Sequence, residues 1–257
     1  NTLSSQSLPR TYSVNESAGC PLCGSKIYSY GAYPWKINYD RLDWRMSCPS
    51  CGLDITKTDE GIQFPTNNFL EYYKGGLNES GEFDRELAMA HNDQLLADGG
   101  EGNLVNRYYG TTLSAEQVAK LKAAGVSEGV ISRITTDKAF GVDDGYGYID
   151  SETGVKYAFA AHYNHWFAWQ DGPIKRGMAD LKDAYLYTGE QKYADMLTVI
   201  LDRMADVYKD MDLSAWRAQD GYINGVDGTG KVMNSVWECG NVNSFMLAFD
   251  AAYPGIF

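Results

Sequence analysis

A mainly α-helical protein with one small β element near its start is the fold the sequence predicts, on three observations. Cys20-Pro21-Leu22-Cys23-Gly24 recurs as Cys48-Pro49-Ser50-Cys51-Gly52, the residues between these knuckles fall into short runs broken by Gly and Pro, and from Pro173 onward apolar side chains recur at helical spacing. A length of 257 residues gives one or two domains with a substantial core, and 44% apolar with 22% charged residues is the balance of a globular chain. The 19 Tyr and 6 Trp are generous; most such rings pack a core, while a minority can line a carbohydrate groove.

A formal net charge of −12 excludes a broadly basic surface and, with it, wholesale nucleic-acid binding. For the same reason an acidic polymer has to be met by a locally positive pocket. No run of about 18 apolar residues is present, so no membrane span is expected. The polar opening NTLSSQS, without a methionine, fits a trimmed N-terminus and a periplasmic or secreted protein of bacterial type. The closing SFMLAFDAAYPGIF reads as a helix that has ended at Pro254 and fits a piece of a longer protein.

The first expected unit spans residues 1–63. Each CxxC turn aims two thiolates at one tetrahedral ion, the Gly that follows relaxes the backbone, and four thiolates close every coordination position. Cys20, Cys23, Cys48 and Cys51 are therefore the expected ligands of a structural zinc ion. KIYSYGAY and YDRLDWRMSC read as short strands of a zinc-ribbon-like element. A pair of disulfides is the competing reading for an exported chain, although duplicated knuckles favour the metal. Cys239 is left over and is expected to be a buried free thiol.

Residues 64–257 make the second expected unit. FPTNNFLEYYKGGLNESGEFD, rich in Asn, Gly and Tyr, reads as an irregular arm. Helices are expected at about 84–96 and at 114–124, the second opened by a Ser114/Gln117 capping box and stopped by Gly125. His91, in the first of them, has no neighbouring ligand set. Asp143-Asp144-Gly145 reads as an Asx-rich turn ahead of a strand-like VKYAFAAHY, with no third oxygen spaced to complete a metal site. Tyr146 and Tyr148 are candidates for stacking on sugar rings. Residues 173–187 and 191–208 read as a helical hairpin whose second helix turns Ala194, Leu197, Ile200, Leu201, Met204 and Val207 inward, and a last helix is expected at about 241–253. Such hairpins are the repeat unit of helical bundles and α/α toroids.

The series CPxCG…CPxCG, DDGYGY, YNHW, DAYLYTGEQKYAD, LDRMADVYKDMD and SVWE resembles the N-terminal α/α-toroid portion of heparinase II/III-type polysaccharide lyases, over about residues 20–253. Members of that family carry a β-sandwich after the toroid and this sequence stops before one, so the resemblance implies an incomplete (α/α) toroid. The implied activity is β-elimination at a uronic acid of an alginate- or glycosaminoglycan-type polymer, leaving a 4,5-unsaturated end. The C5 hydrogen is far too weak an acid while the adjacent carboxylate is ionised, so donors must hold that carboxylate as enolate-like charge builds, as an oxyanion hole does. By the resemblance, Asn164 is that donor. His165 is the base or a further stabiliser, with an imidazole that titrates near neutrality. Tyr222, in the Asp220-Gly221-Tyr222 turn, protonates the leaving C4 oxygen or acts as phenolate base.

Around these, Arg217 is a candidate to grip a carboxylate or sulfate through its guanidinium fork, a surface ion pair being its commoner fate. Trp166 can pack in the wall or serve as a sugar platform. Trp237 and Glu238 are candidate substrate contacts, the alternative being a buried Trp beside a hydrogen-bonded Glu. His162 shares a face with His165 if the stretch is helical, without a third ligand for a metal. The expected partner is an acidic polysaccharide or oligosaccharide, and no organic cofactor is implied. The alternative is a non-catalytic carbohydrate-binding toroid, or a fragment that needs a downstream β-sandwich for activity. A glycoside hydrolase would require opposed carboxylates, for which Asp143 or Asp144 with Glu238 are the pairs to test.

Overall fold

The structure, a computed structural model, describes residues 8–9, 18–53, 61–169, 172–210 and 236–256. Helix predominates among them, as expected, and the strands are all two residues long. The chain divides into two compact units, Thr11–Tyr163 and Asn1–Arg10 with Asn164–Phe257. No helix of the described residues is long and apolar enough to cross a membrane.

In the Thr11–Tyr163 unit, β1 (Lys36–Ile37), β2 (Met46–Ser47) and β3 (Gln63–Phe64) form an antiparallel sheet in that order, Met46 standing opposite both Ile37 and Phe64. The expected strand in KIYSYGAY is instead a 3-10 helix, Ser25–Tyr30. A strand needs alternate residues buried along one face, and Ile27 is the one buried residue of those six. The arm that read as irregular contains α1 (Phe69–Gly75), because Phe69, Tyr72 and Tyr73 fall at i, i+3 and i+4 and bury together.

Farther along, α2 (Arg85–Ala97) is capped by the Asp84 carboxylate, which accepts from the Glu86 and Leu87 N–H groups. The capping box of α3 (Ala115–Ala123) forms as its spacing predicts: Ser114 Oγ accepts from Gln117 N at 3.1 Å and Gln117 Oε1 accepts from Ser114 N at 2.8 Å. Gly125, at φ 77°, ends it. Ser127 caps a further helix, α4 (Glu128–Thr136), which the sequence reading did not single out. β4 (Tyr148–Ile149) and β5 (Lys156–Tyr157) form a hairpin that leads into α5 (Phe159–Asn164), so VKYAFAAHY is strand for two residues and helix after that.

Aromatic rings build this core. Phe64 stacks on Phe159 at 4.8 Å between ring centroids, Tyr157 on Phe159 at 5.7 Å and Trp44 on Tyr163 at 5.2 Å. Each such pair adds about 0.5–1.5 kcal/mol beyond the area it buries. Tyr72, Tyr73, Tyr148, Tyr157 and Tyr163, with Trp35 and Trp44, are thus committed to packing.

The other unit begins with a π-helical turn, His165–Trp169, and continues into α6 (Pro173–Thr188), α7 (Gln191–Tyr208) and α8 (Val236–Ile256). Pro173 opens α6 at a position where its missing N–H is harmless, and Gly189 closes it in the left-handed region at φ 67°. α7 buries Ala194, Leu197, Met204 and Val207, with Ile200 and Leu201 half-buried. α8 packs against both other helices and runs on through Pro254 to Ile256 instead of stopping before the proline. In a last turn the ring removes one N–H bond and no following turn suffers. A Cβ at Gly255 would stand 2.8 Å from both Ala194 Cβ and Tyr185 Oη, so the bare backbone there lets the end of α8 close on the start of α7 and the end of α6.

Candidate functional site

The four knuckle cysteines converge. Cys20 and Cys51 sulfurs lie 3.6 Å apart, as do Cys23 and Cys48, and all four lie within 4.8 Å of one another. Metal–thiolate bonds of about 2.3 Å in a tetrahedron set sulfur–sulfur edges near ~3.8 Å, so the set fits one ion. The thiols are free, with no disulfide among the described residues. Each knuckle is closed by a backbone bond, Gly24 N to Cys20 O at 2.8 Å and Gly52 N to Cys48 O at 2.7 Å. A Cβ at Gly52 would fall 2.7 Å from Cys48 O, which is the close approach the glycine permits. Burial pushes the Cys20 thiol up, while sulfur hydrogen bonding from Cys20 and Cys48 pulls Cys23 down. A bound divalent ion takes its ligands as thiolates, so binding releases their protons. Cys239, expected to be buried, is exposed on the first turns of α8.

The segment carrying Asn164 and His165 is anchored at its start by Asp143. That carboxylate is fully buried and accepts from Gly145 N at 2.8 Å, Gly147 N at 2.9 Å and, across the fold, Ala160 N at 3.0 Å in the first turn of α5. Asn67 clasps the Asp143 backbone, accepting from its N–H at 3.0 Å and donating to its carbonyl at 3.1 Å. Asp143-Asp144-Gly145 is therefore an Asx turn, and the residue it contains is a helix anchor whose partner lies too far along the chain to be read locally. Burial raises the Asp143 carboxyl to about 6, against the pull of its three N–H donors.

A carboxyl that titrates higher folded than unfolded binds its proton more tightly in the native state, so its contribution is fully present below the unfolded value near 4 and is lost as pH rises through about 6. Stability at pH 5 is expected to exceed that at pH 7.5 by about 1–1.5 kcal/mol from this group. Denaturant midpoints at the two pH values check it. The difference is expected to vanish in Asp143→Asn, and a wild-type protein equally stable at both would contradict it.

At the other end of α5 the hydrogen-bond register changes from α to π between Asn164 and His165. Asn164 is 1% exposed and His165 0%. The Asn164 Nδ2 donates to Leu8 O at a long 3.5 Å, and its Oδ1 has no hydrogen-bond partner among the described residues. The His165 ring meets Trp166 edge to face at 5.8 Å, and Trp166 is half-buried. His162 is buried. A Cβ at Gly172 would collide with Trp166 O at 2.0 Å, so a glycine is what lets the π turn fold back onto the start of α6.

Tyr146 is half-buried with the Arg85 guanidinium 4.8 Å over its ring, and Arg85 Nε donates to Asp144 Oδ2 at 2.9 Å. Tyr148, also expected to stack on sugars, is buried: it stacks on Tyr157 at 6.0 Å and its hydroxyl donates to Asp150 at 2.8 Å. Burial works to raise Asp150, but the Thr153 N–H, the Tyr148 hydroxyl and Arg133 outweigh it and hold the carboxyl at about 2. Tyr222 and Arg217 lie outside the described residues, and of Trp237 and Glu238 only the backbone is described, in the first turn of α8. The structure thus sets Asn164, the last residue of α5, beside His165 and Trp166 of the π turn, the first two buried and Trp166 half-buried, and places Tyr146 on the loop after Asp143 and Tyr148 at the start of β4. Comparison with known proteins gives no match: no family model, no curated protein and no solved structure matches the chain.

Proposed function

We propose that the chain is the toroid portion of a polysaccharide lyase of the heparinase II/III type and that Asn164 holds a uronate carboxylate while its C5 proton is removed. The state of the Asn164 amide supports this reading. It is 1% exposed, its oxygen has no hydrogen-bond partner among the described residues, and its nitrogen makes one contact at 3.5 Å. Leaving a buried polar group unsatisfied costs about 1–3 kcal/mol, and an amide kept at that cost, where α5 gives way to a π turn, is characteristic of a site reserved for a ligand.

In the proposed reaction the Asn164 Nδ2 donates to the carboxylate and spreads the charge that forms as C5 is deprotonated. His165 takes that proton or steadies the same charge, and Tyr222 protonates the C4 oxygen as the C4–O bond breaks and the C4–C5 double bond forms. The four thiolates hold zinc, which fastens a ribbon-like element over residues 1–63 and takes no part in the chemistry, while the toroid spans 64–257.

Burial of both Asn164 and His165 favours a second reading, a carbohydrate-binding body without catalysis. Incubation with alginate, hyaluronan, chondroitin sulfate, heparan sulfate and polygalacturonate separates the two. The lyase is expected to raise ultraviolet absorbance with one of them through the conjugated product. Binding with no absorbance change for any polymer overturns the lyase and supports the second reading.

A further inference from the structure

In a chain of net charge −12, Arg41, Arg45 and Arg107 gather about the Asp43 carboxylate where the chain enters β2. That carboxylate is already taken: Oδ1 accepts from the Arg45 backbone N–H at 3.2 Å, and Oδ2 lies 3.0 Å from Arg41 Nε. The Arg45 side chain is left over. It is half-buried, and its Nε is closed off from solvent with no hydrogen-bond partner among the described residues. Arg107, also half-buried, comes to the same end of the sheet. Met46 stands opposite Phe64, so Arg45 and Pro65 flank that pair, and Arg107 Nη1 donates to Pro65 O at 3.4 Å. Arg107 Nη2 donates to Gln63 Oε1 at 3.1 Å and to Tyr108 Oη at 2.6 Å, and the guanidinium lies 4.6 Å over the Tyr108 ring. These neutral partners orient the guanidinium and leave its charge uncompensated.

Burial weakens the hold of Arg45 on its proton, and the Arg107 charge weakens it further, by more than Asp43 restores. A guanidinium does not give up its proton in a protein, so the two like charges stand against each other permanently. The backbone carries a second sign of cost. Leu42 at φ 51° and Trp44 at φ 60° both lie in the left-handed region that bulky side chains avoid, and strain of this kind concentrates at ligand sites. The buried Trp44 ring, stacked on Tyr163 at 5.2 Å, holds the loop in that form and so presents Arg45.

We propose that Arg45 and Arg107 form an oxyanion site, which takes a carboxylate or sulfate group of an acidic ligand between their two guanidiniums. Such a group presents two oxygens to a guanidinium fork, gives the Arg45 Nε–H its acceptor and offsets the repulsion between the two charges. Oxyanion binding at this place does not rest on the lyase reading.

Titration calorimetry of the whole chain with sodium sulfate, sodium glucuronate and neutral methyl glucoside tests it. Sulfate or glucuronate is expected to bind, more weakly as sodium chloride rises, and methyl glucoside at least about tenfold more weakly than the better anion. Tighter sulfate points to a sulfated ligand and tighter glucuronate to a uronate, and either result supports the site. Arg45→Gln is expected to lose about tenfold or more in anion affinity while melting at or above the wild-type temperature, because it removes a like charge and an N–H that bonds nothing. Arg45→Lys keeps the charge without the fork and is expected to lose about threefold; it decides the matter if the Gln variant fails to melt cooperatively. Arg107 is left in place because it also ties Pro65 to Gln63. A wild type that binds neither anion, or variants that keep full affinity, overturns the site, and a Gln variant that melts lower with unchanged binding assigns Arg45 to the fold alone. None of these results decides the lyase reading, which is settled by the absorbance assay.

Discussion

Cys48→Ser is expected to strip the chain of its metal and to lower its melting temperature by about 10 °C or more. Structural zinc contributes about 10–16 kcal/mol to the folding of small thiolate sites, against a net stability of about 5–15 kcal/mol for a whole domain, so no other single change reaches as far. The strands β1 and β2 lie between the two knuckles and are two residues long. Such strands do not hold themselves together in water. The same stretch carries Trp35 and Trp44, whose rings pack on Phe159 and Tyr163 at 5.8 and 5.2 Å. Losing the clip therefore loosens the aromatic core as well as the sheet. A serine hydroxyl is a poor substitute for a thiolate, and it leaves Cys20, Cys23 and Cys51 crowded without a shared ion. Elemental analysis is expected to find about one zinc per chain in the wild type and a small fraction of that in the variant, with a strong chelator moving the wild type the same way. Cys239→Ser, at an exposed thiol, is expected to change neither quantity. A metal-free wild type that melts together with Cys48→Ser would remove the clip from the account.

What the sequence made legible was local. The capping box at Ser114, the Pro173 start of α6 and the extent of α7 are each decided within a few residues, and the structure has them where the spacing put them. The four-cysteine cluster was legible for a different reason: a CxxC turn fixes half of a tetrahedron by itself, and two of them need only meet. What escaped depends on distant partners or on composition that masks a pattern. α1 hid its Phe69, Tyr72 and Tyr73 stripe among Asn and Gly, and Ser25–Tyr30 could not form a strand because five of its six positions stay out of the core. Asp143 looked like a turn residue because its Ala160 and Asn67 partners are remote in sequence. At the candidate site, adjacency of Asn164 and His165 was visible and their burial was not, since a run crowded with apolar rings has no polar face to mark which side turns inward.

Asn164→Ala is expected to lower kcat by about 10²–10³ while leaving the melting temperature unchanged or slightly higher, the loss in rate being that of one preorganised oxyanion donor. The stability half of this expectation comes from the amide's surroundings. Its oxygen has no hydrogen-bond partner among the described residues and its nitrogen contact is 3.5 Å long, so truncation removes a desolvated polar group and breaks no good hydrogen bond. The small cavity left behind works in the other direction and roughly cancels the gain. Activity lost without stability lost is the signature of a residue kept for chemistry at the expense of packing. Asn164→Asp sharpens the test, because it preserves shape and replaces a donor with an anion that repels the carboxylate to be neutralised. It is expected to be at least as inactive as the alanine variant and, with a charge buried at 1% exposure, less stable. His165→Ala is expected to cost about 10² in kcat as well. If Asn164→Ala turns over normally, or loses activity only in step with unfolding, the amide is a core residue and the carboxylate is held elsewhere.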